Sequence, residues 1–400
     1  MLKRKIPSAG TPVQLSDLFI AIKGAFGKEA PLLERIIEKL LNIKHCLLVN
    51  SGTTAFYVIL RTIKKFSDKN EVILPAYTAP SLILSIKKAG LKYRLVDISL
   101  ETFNMDAEKV MSAIGSETMA VMPVHMFGLP FAIDKFIDEI KGLQNEQGFY
   151  IIEDAASSFG TMRKNGKYTG TFGDIGFFSF NRGKNLSITT GGAIVTDDDR
   201  LSAIISEEIR NLPRLDTNGR LILFLKTVGL SLAVRPWFYT LFQPFISKFK
   251  YMTLHQDFDS FQYTDFQRAL GISLFRKANN IFHRRMENGL YLVKALKDMM
   301  GIRLPVLPDN WQIVFNQFPI LVEDEWKREK ALHEIYKTGV EATTLYDKPI
   351  HLIYEGNNFD VDPFPNATYL SRRLILIPTH PLIEIKNLKK VVDAINRGLR

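Results

Sequence analysis

Over the first half of the chain, short apolar runs bounded by turn residues alternate with helix-length amphipathic segments. The pattern predicts strands at 46–50, 71–74, 92–96, 120–123 and 149–152, with helices at 53–66, 81–89, 107–114 and 133–141 between them. Alternation of this kind builds an α/β fold around a mostly parallel sheet with right-handed crossovers. The runs at 175–180 and 192–195 read as an antiparallel or edge pair of that sheet.

The pattern changes at about 211 and stays different to 259, where Leu221-Ile-Leu-Phe-Leu-Lys-Thr-Val-Gly-Leu-Ser-Leu-Ala-Val is followed by Arg235-Pro-Trp-Phe-Tyr-Thr-Leu-Phe-Gln-Pro-Phe-Ile. Lys226, Arg235, Pro236 and Pro244 keep every uncharged run below the roughly 18 residues that span a bilayer. Two readings stay open for the stretch 221–250: a helical insertion that buries its apolar face on a dimer partner, or an element lying in a membrane interface. From 264 onward the periodicity predicts a long helical stretch through Arg285 and Leu296, strands near 315–321 and 374–377, and helices at 326–338 and 385–397. The chain therefore divides into a large domain over 1–210, an apolar helical insertion over 211–259, and a smaller α+β domain over 260–400.

Composition narrows the class. Hydrophobic residues at 46% and charged residues at 24% fit a globular protein with a large core and exclude fibrous or low-complexity chains. The single cysteine, Cys46, cannot form an internal disulfide, and seven scattered histidines give no metal-site spacing, so a cytoplasmic setting without a structural metal is expected. The first ten residues are basic but lack the apolar run of a secretory signal. A net charge of +10 suits an acidic partner, but the cations come as dispersed pairs such as Lys64-Lys65 and Arg372-Arg373, so no nucleic acid is expected.

Three sites carry candidate chemistry. Lys184 follows a short strand in a polar loop that ends in Gly191-Gly192, which is how an amine is presented to an aldehyde; a solvated surface lysine is the alternative. Asp154 closes the apolar run Ile151-Ile-Glu-Asp, at the strand end where open α/β sheets bind ligands, and reads either as a partner for a protonated ring nitrogen or as a structural ion pair. Asn50-Ser-Gly-Thr-Thr-Ala joins a strand to a helix and offers backbone N–H groups and hydroxyls to a phosphate, or plain N-capping by Ser51 or Thr53.

Taken in this order, Ser51-Gly-Thr-Thr-Ala, Val72-Ile-Leu-Pro-Ala-Tyr-Thr, Pro123-Val-His-Met-Phe-Gly, Glu153-Asp-Ala-Ala, Phe178-Ser-Phe-Asn-Arg-Gly-Lys-Asn, Tyr346-Asp-Lys-Pro-Ile-His and Ile377-Pro-Thr-His-Pro resemble the DegT/DnrJ/EryC1/StrS family of sugar aminotransferases. The resemblance implies the fold type I architecture, with a seven-stranded sheet in the large domain, pyridoxal 5'-phosphate as cofactor, and a homodimer. It implies that Lys184 bonds the cofactor and shuttles a proton, that Asp154 pairs with the pyridine nitrogen, and that Gly52, Thr53, Thr54 and Ser179 hold the phosphate. Family members that dehydrate their sugar have histidine where this chain has Lys184, so transfer of an amino group, from an amino acid such as glutamate to a nucleotide-linked keto-sugar, is the expected reaction. Sugar dehydration and a non-catalytic role are the alternatives.

The chain also departs from the family pattern. Ala79 and Pro80 stand where an aromatic residue usually stacks on the cofactor ring, Ser157 replaces a longer donor to the ring hydroxyl, and Ser260 and Gln262 replace residues that reach the partner subunit. Tyr346 and His351 fall in a loop that resembles the family's substrate-facing segment. His125 is expected to be structural.

Overall fold

The computed structural model describes residues 5–10, 13–25, 32–248, 256–356 and 359–400. Its centre is a seven-stranded sheet of β1 (His45–Val49), β2 (Glu71–Pro75), β3 (Lys92–Val96), β4 (Thr118–Val121), β5 (Tyr150–Asp154), β6 (Ile175–Ser179) and β7 (Gly192–Thr196), in the spatial order β1-β7-β6-β5-β4-β2-β3. Only β7 runs antiparallel to its neighbours. The antiparallel pair expected at 175–180 and 192–195 is present but internal, because β1 flanks β7 on its other side. Strand 120–123 is shifted to Thr118–Val121, and the helix expected at 133–141 runs on to Gln147, where Gly148 adopts a left-handed φ of 62° and ends it.

Strand residues alternate between two cores, as a period of two requires. Val49, Phe177 and Ile194 face the helix Gly52–Ile63, with Phe56 stacked on Phe177 at 5.5 Å. Leu48, Phe178, Ala193 and Val195 face the other way, into an aromatic cluster in which Phe159 packs edge-on against Phe178, Phe180, Phe275 and Phe282. That second core is closed by helices Leu15–Ala25, Leu32–Leu41 and Asp265–Phe275. The first two were not expected from the sequence. The single helical stretch expected through Arg285 and Leu296 is two helices, Asp265–Phe275 and Ala278–Leu296, parted at Arg276 and Lys277.

A second, three-stranded antiparallel sheet is made of β8 (Ile302–Arg303), β9 (Gln317–Val322) and β10 (Leu374–Pro378), covered by helices Glu325–Lys337 and Ile385–Leu399. Within 211–259 the chain forms helices Thr217–Ala233 and Pro236–Lys248; residues 249–255 of that stretch lie outside the described residues. No single helix among the described residues is long and apolar enough to cross a membrane.

Candidate active site

The sheet brings four chain segments to one edge. Ser51 follows β1, Asp154 ends β5, Ser179 ends β6 and Gly192 opens β7, and the register pairs Val49 and Ser179 with Gly192 and Asp154 with Phe177. Because β7 is antiparallel, its first residue lies beside the last residues of β1 and β6. Loops separated by more than a hundred residues thus meet at the strand ends where α/β sheets bind ligands.

At this edge the helix Gly52–Ile63 begins. Ser51 is its N-cap, its Oγ accepting from Thr54 N at 3.0 Å, so the capping reading and the anion reading are compatible. The first-turn N–H groups of Gly52 and Thr53 have no acceptor within the helix and point the positive end of its dipole outward. Gly52 is there because nothing larger fits: a Cβ would stand 2.9 Å from Ser179 Cβ. Gly192 is equally constrained, since its Cβ would meet the Ser51 carbonyl oxygen. Thr53 Oγ1 donates to Ser81 Oγ at 3.3 Å, and Thr54 is buried.

Lys184 Nζ donates to Ser157 Oγ at 3.0 Å. Burial pushes the Lys184 pKa below the ordinary lysine value, and the attraction of Asp154 opposes that fall. Asp154 is itself buried, which raises its pKa; Lys184, the Ala156 N–H and His125 pull in the opposite direction. Its Oδ1 accepts from Ala156 N at 2.9 Å, and among the described residues its other oxygen takes no donor. The two groups are therefore coupled charges held out of water, which is the condition under which amines and carboxylates acquire unusual protonation behaviour.

Behind Asp154 lies a fully buried pair, His125 and Glu153. His125 Nδ1 accepts from Phe131 N at 3.0 Å, which leaves the proton on Nε2, donated to Glu153 at 2.8 Å. Glu153 also accepts the N–H groups of Gly170, Phe172 and Gly173, so this carboxylate folds the 170–173 loop and anchors the histidine. His125 N donates to the Asp154 carbonyl at 3.0 Å, fixing the backbone at the site. The structural assignment of His125 matches these contacts.

The remaining candidates separate. Tyr346 is close enough to Asp154 for that charge to help burial raise its pKa. Tyr77 is buried and packs edge-on against Tyr346 at 5.7 Å, its hydroxyl within 3.3 Å of the Tyr346 carbonyl. Tyr77 thus buttresses Tyr346. His351 is buried against Phe364 and Phe359, with Nε2 3.2 Å from Asp362 Oδ1; burial lowers its pKa, opposed by Asp362, Glu355 and Asp97. Segment 259–262 is pinned to the end of β1 by Asn50, which accepts from Phe261 N and donates to the Asp259 carbonyl, while Ser260 Oγ is buried without a partner. Gln262 is committed to the carbonyls of Arg210 and Leu212.

Sequence reasoning missed Arg285. It is fully buried without a carboxylate, donates to the carbonyls of Asn316 (2.7 Å) and Lys184 (3.3 Å), and is brought down to about 9 by desolvation. One arginine in an amphipathic helix carries no sign of this role, which exists only once the C-terminal elements close over the lysine loop.

The family model for the DegT/DnrJ/EryC1/StrS aminotransferase family matches residues 22–396. The chain belongs to this family. GDP-perosamine synthase from Caulobacter vibrioides is 25% identical to this aminotransferase over 369 residues, covering 92% of this chain and 89% of that protein. A dTDP-4-dehydro-2,6-dideoxy-D-glucose 3-dehydratase from Saccharopolyspora spinosa is 25% identical over 402 residues, covering 96% and 83%. The Helicobacter pylori aminotransferase PseC, involved in the biosynthesis of pseudoaminic acid, superposes with a TM-score of 0.78 at 20% identity over 99% of each chain. The fold is that of the fold type I enzymes, and the cofactor of this aminotransferase is pyridoxal 5'-phosphate.

The residues at the sheet edge fit that group. The cradle at Gly52 is one that a Cβ would fill, and the helix end beside it suits a dianionic phosphate. The second oxygen of the buried Asp154 takes no donor among the described residues, and a protonated ring nitrogen would supply one.

Proposed function

We propose that this aminotransferase moves an amino group from an amino acid, glutamate in our reading, to a keto-sugar carried on a nucleoside diphosphate. The observation that supports this most directly is the Lys184 amine, 3.0 Å from Ser157 and coupled to the buried Asp154. When bound, pyridoxal phosphate supplies the electron sink that stabilises charge developing on the substrate carbon. Lys184 would hold it through Nζ, and the burial that lowers the lysine pKa favours the unprotonated amine, able to take and return a proton at Nζ. Asp154 would keep the ring nitrogen protonated, and Ser157, which orients Lys184, would be a donor to the ring hydroxyl.

In the same reading Gly52, Thr53, Thr54 and Ser179 bind the phosphate. Tyr346, seated on Tyr77 and close to Asp154, faces the substrate; the buried His351 supports the adjoining segment. The enzyme acts as a homodimer, in which the segment carrying the unpartnered Ser260 meets the second subunit. The similarity to a dehydratase keeps elimination as the competing reaction; Lys184, standing where the resemblance gives dehydrating members a histidine, favours transfer.

Absorbance between about 300 and 500 nm tests this. Purified enzyme with pyridoxal phosphate should show a visible-edge band that glutamate converts to the shorter-wavelength pyridoxamine form. A band indifferent to every amino donor, with hydroxyl loss from a nucleotide keto-sugar, would establish the elimination reading instead.

A further inference from the structure

The helix Thr217–Ala233 is apolar on its outer face as well as on the face it buries. Its inner face carries Leu223, Thr227 and Ser231, all buried, and the two hydroxyls are satisfied within the helix by the carbonyls of Leu223 and Val228. Its outer face carries Leu221, Ile222 and Leu225, which are 56%, 50% and 57% exposed. A helix facing only water has the reverse distribution. After a 95° bend the helix Pro236–Lys248 continues the pattern, with Trp237 and Leu241 at 63% and 60% exposure. The pair is firmly seated from below: Phe224 packs on Phe266 at 5.7 Å, and Tyr239 donates to Glu341 at 2.6 Å.

Charge decides what covers this face. From Thr217 to Gln256 the chain contains no Asp or Glu but five basic residues, Arg220, Lys226, Arg235, Lys248 and Lys250. A second copy of the same face, related by a twofold axis, would bring Arg220, Lys226 and Arg235 up to their own copies without an anion from either helix pair. An anionic lipid surface is complementary both to the cations and to the exposed apolar side chains. Two short helices at a right angle also suit an element lying in the interface plane rather than across it. Tryptophan is enriched at that depth.

We propose that the bent helix pair docks this enzyme peripherally on an anionic lipid bilayer. The exposed leucines and Trp237 enter the boundary between headgroups and acyl chains, and Lys226 and Arg235 meet the headgroups. The inner face of the same helix, through Leu230, Ser231 and Val234, lines a cleft with Arg182, Gly183 and Ser187 of the lysine loop. Docking therefore holds the active-site loop one helix diameter from the lipid, and the sugar product is released beside the membrane.

Flotation of the full-length holoenzyme with vesicles tests this. The protein should float with phosphatidylcholine vesicles containing phosphatidylglycerol, stay behind with phosphatidylcholine alone, and bind less as salt rises. The variant Leu221→Ser/Leu225→Ser/Trp237→Ala should bind about tenfold less or weaker still while keeping its cofactor spectrum and its turnover of soluble substrate. Lys226→Glu/Arg235→Glu, which leaves the apolar face intact, should lose binding at low salt, and decides the matter if the triple variant folds poorly. No flotation of the wild-type protein at low salt, or binding that both variants retain, overturns the proposal. So does a triple variant that turns from dimer to monomer in light scattering, since a second copy then covers the face.

Discussion

Lys184 Nζ rests 3.0 Å from Ser157 Oγ, so the amine is held by a hydroxyl rather than by a carboxylate. Asp154 acts on it only through space, and this arrangement leaves the lysine free to form a covalent bond without breaking a salt bridge. An amine paired directly with a carboxylate would first have to give up that ion pair. The hydroxyl orients Lys184 at a smaller cost.

Replacing Lys184 by Ala is expected to lower turnover by about three orders of magnitude or more, the usual consequence of removing a group that bonds the reacting centre and moves its proton. The visible-edge band should vanish while circular dichroism and oligomeric state stay unchanged. Undiminished turnover would remove Lys184 from the chemistry.

Asp154→Asn should separate function from stability. Turnover is expected to fall on the order of 10²-fold or more, because the ring nitrogen loses its counter-charge. The cofactor-free protein should be no less stable than wild type. Asp154 has a raised pKa in the folded state, so its favourable contribution is present below the ordinary aspartate value near 3.8 and is lost as pH rises through the folded value, above which the carboxylate is a buried charge. Thermal unfolding of the two cofactor-free proteins at neutral pH checks this; a marked drop for the asparagine variant would show that the carboxylate stabilises the fold.

Gly52→Ala would place its Cβ 2.9 Å from Ser179 Cβ, a contact that the packed strand end cannot relax freely. A loss of about 1–3 kcal/mol in unfolding free energy is expected, with weaker retention of pyridoxal phosphate. Gly52→Ala/Ser179→Gly should recover the stability but not the cofactor affinity, since the serine hydroxyl is gone. Calorimetry and cofactor titration of both variants distinguish the two effects.

His380 is buried with Nε2 against the Pro7 carbonyl at 2.8 Å, and desolvation brings its pKa down to about 4 from an ordinary value of 6.5. A depressed value means that the unfolded chain binds the proton first, so stability is complete above about pH 6.5 and falls as pH drops through the interval to about 4. The difference corresponds to a loss on the order of 3 kcal/mol across that interval. Urea unfolding between those pH values should show the slope, and His380→Gln should flatten it.

Much of the fold was readable from hydrophobic period alone. Strand β3 lies at the predicted residues, and β1, β2 and β5 lie within one or two of them; β2 and β5 are buried parallel strands and so nearly continuous apolar runs, while the edge strands β1 and β3 are bounded by the turn residues on either side. Positions where the reading slipped have local causes. Arg276 and Lys277 interrupt the helix expected through Arg285 without a proline or glycine to announce it, and β7 sits inside the sheet because its partners are chosen by register across the whole sheet.

The sequence by itself determined the candidate chemistry: a lysine in a Gly-bounded loop, a carboxylate at a strand end and a small-polar turn before a helix, each required by backbone geometry that few residues satisfy. Only the tertiary structure decided which atoms meet. The coupling of Asp154 to Lys184 and Tyr346, the buried arginine at 285 on the Lys184 carbonyl and the seating of Tyr77 on Tyr346 all join segments far apart in the chain. Side-chain period reports which face of an element is buried, whereas pairing between distant elements depends on register, crossover and the shape left after packing. The insertion shows the same division: its apolar composition was plain, but that Leu221 and Leu225 face outward while Leu223, Thr227 and Ser231 face inward follows from the contacts beneath it, which no local pattern encodes.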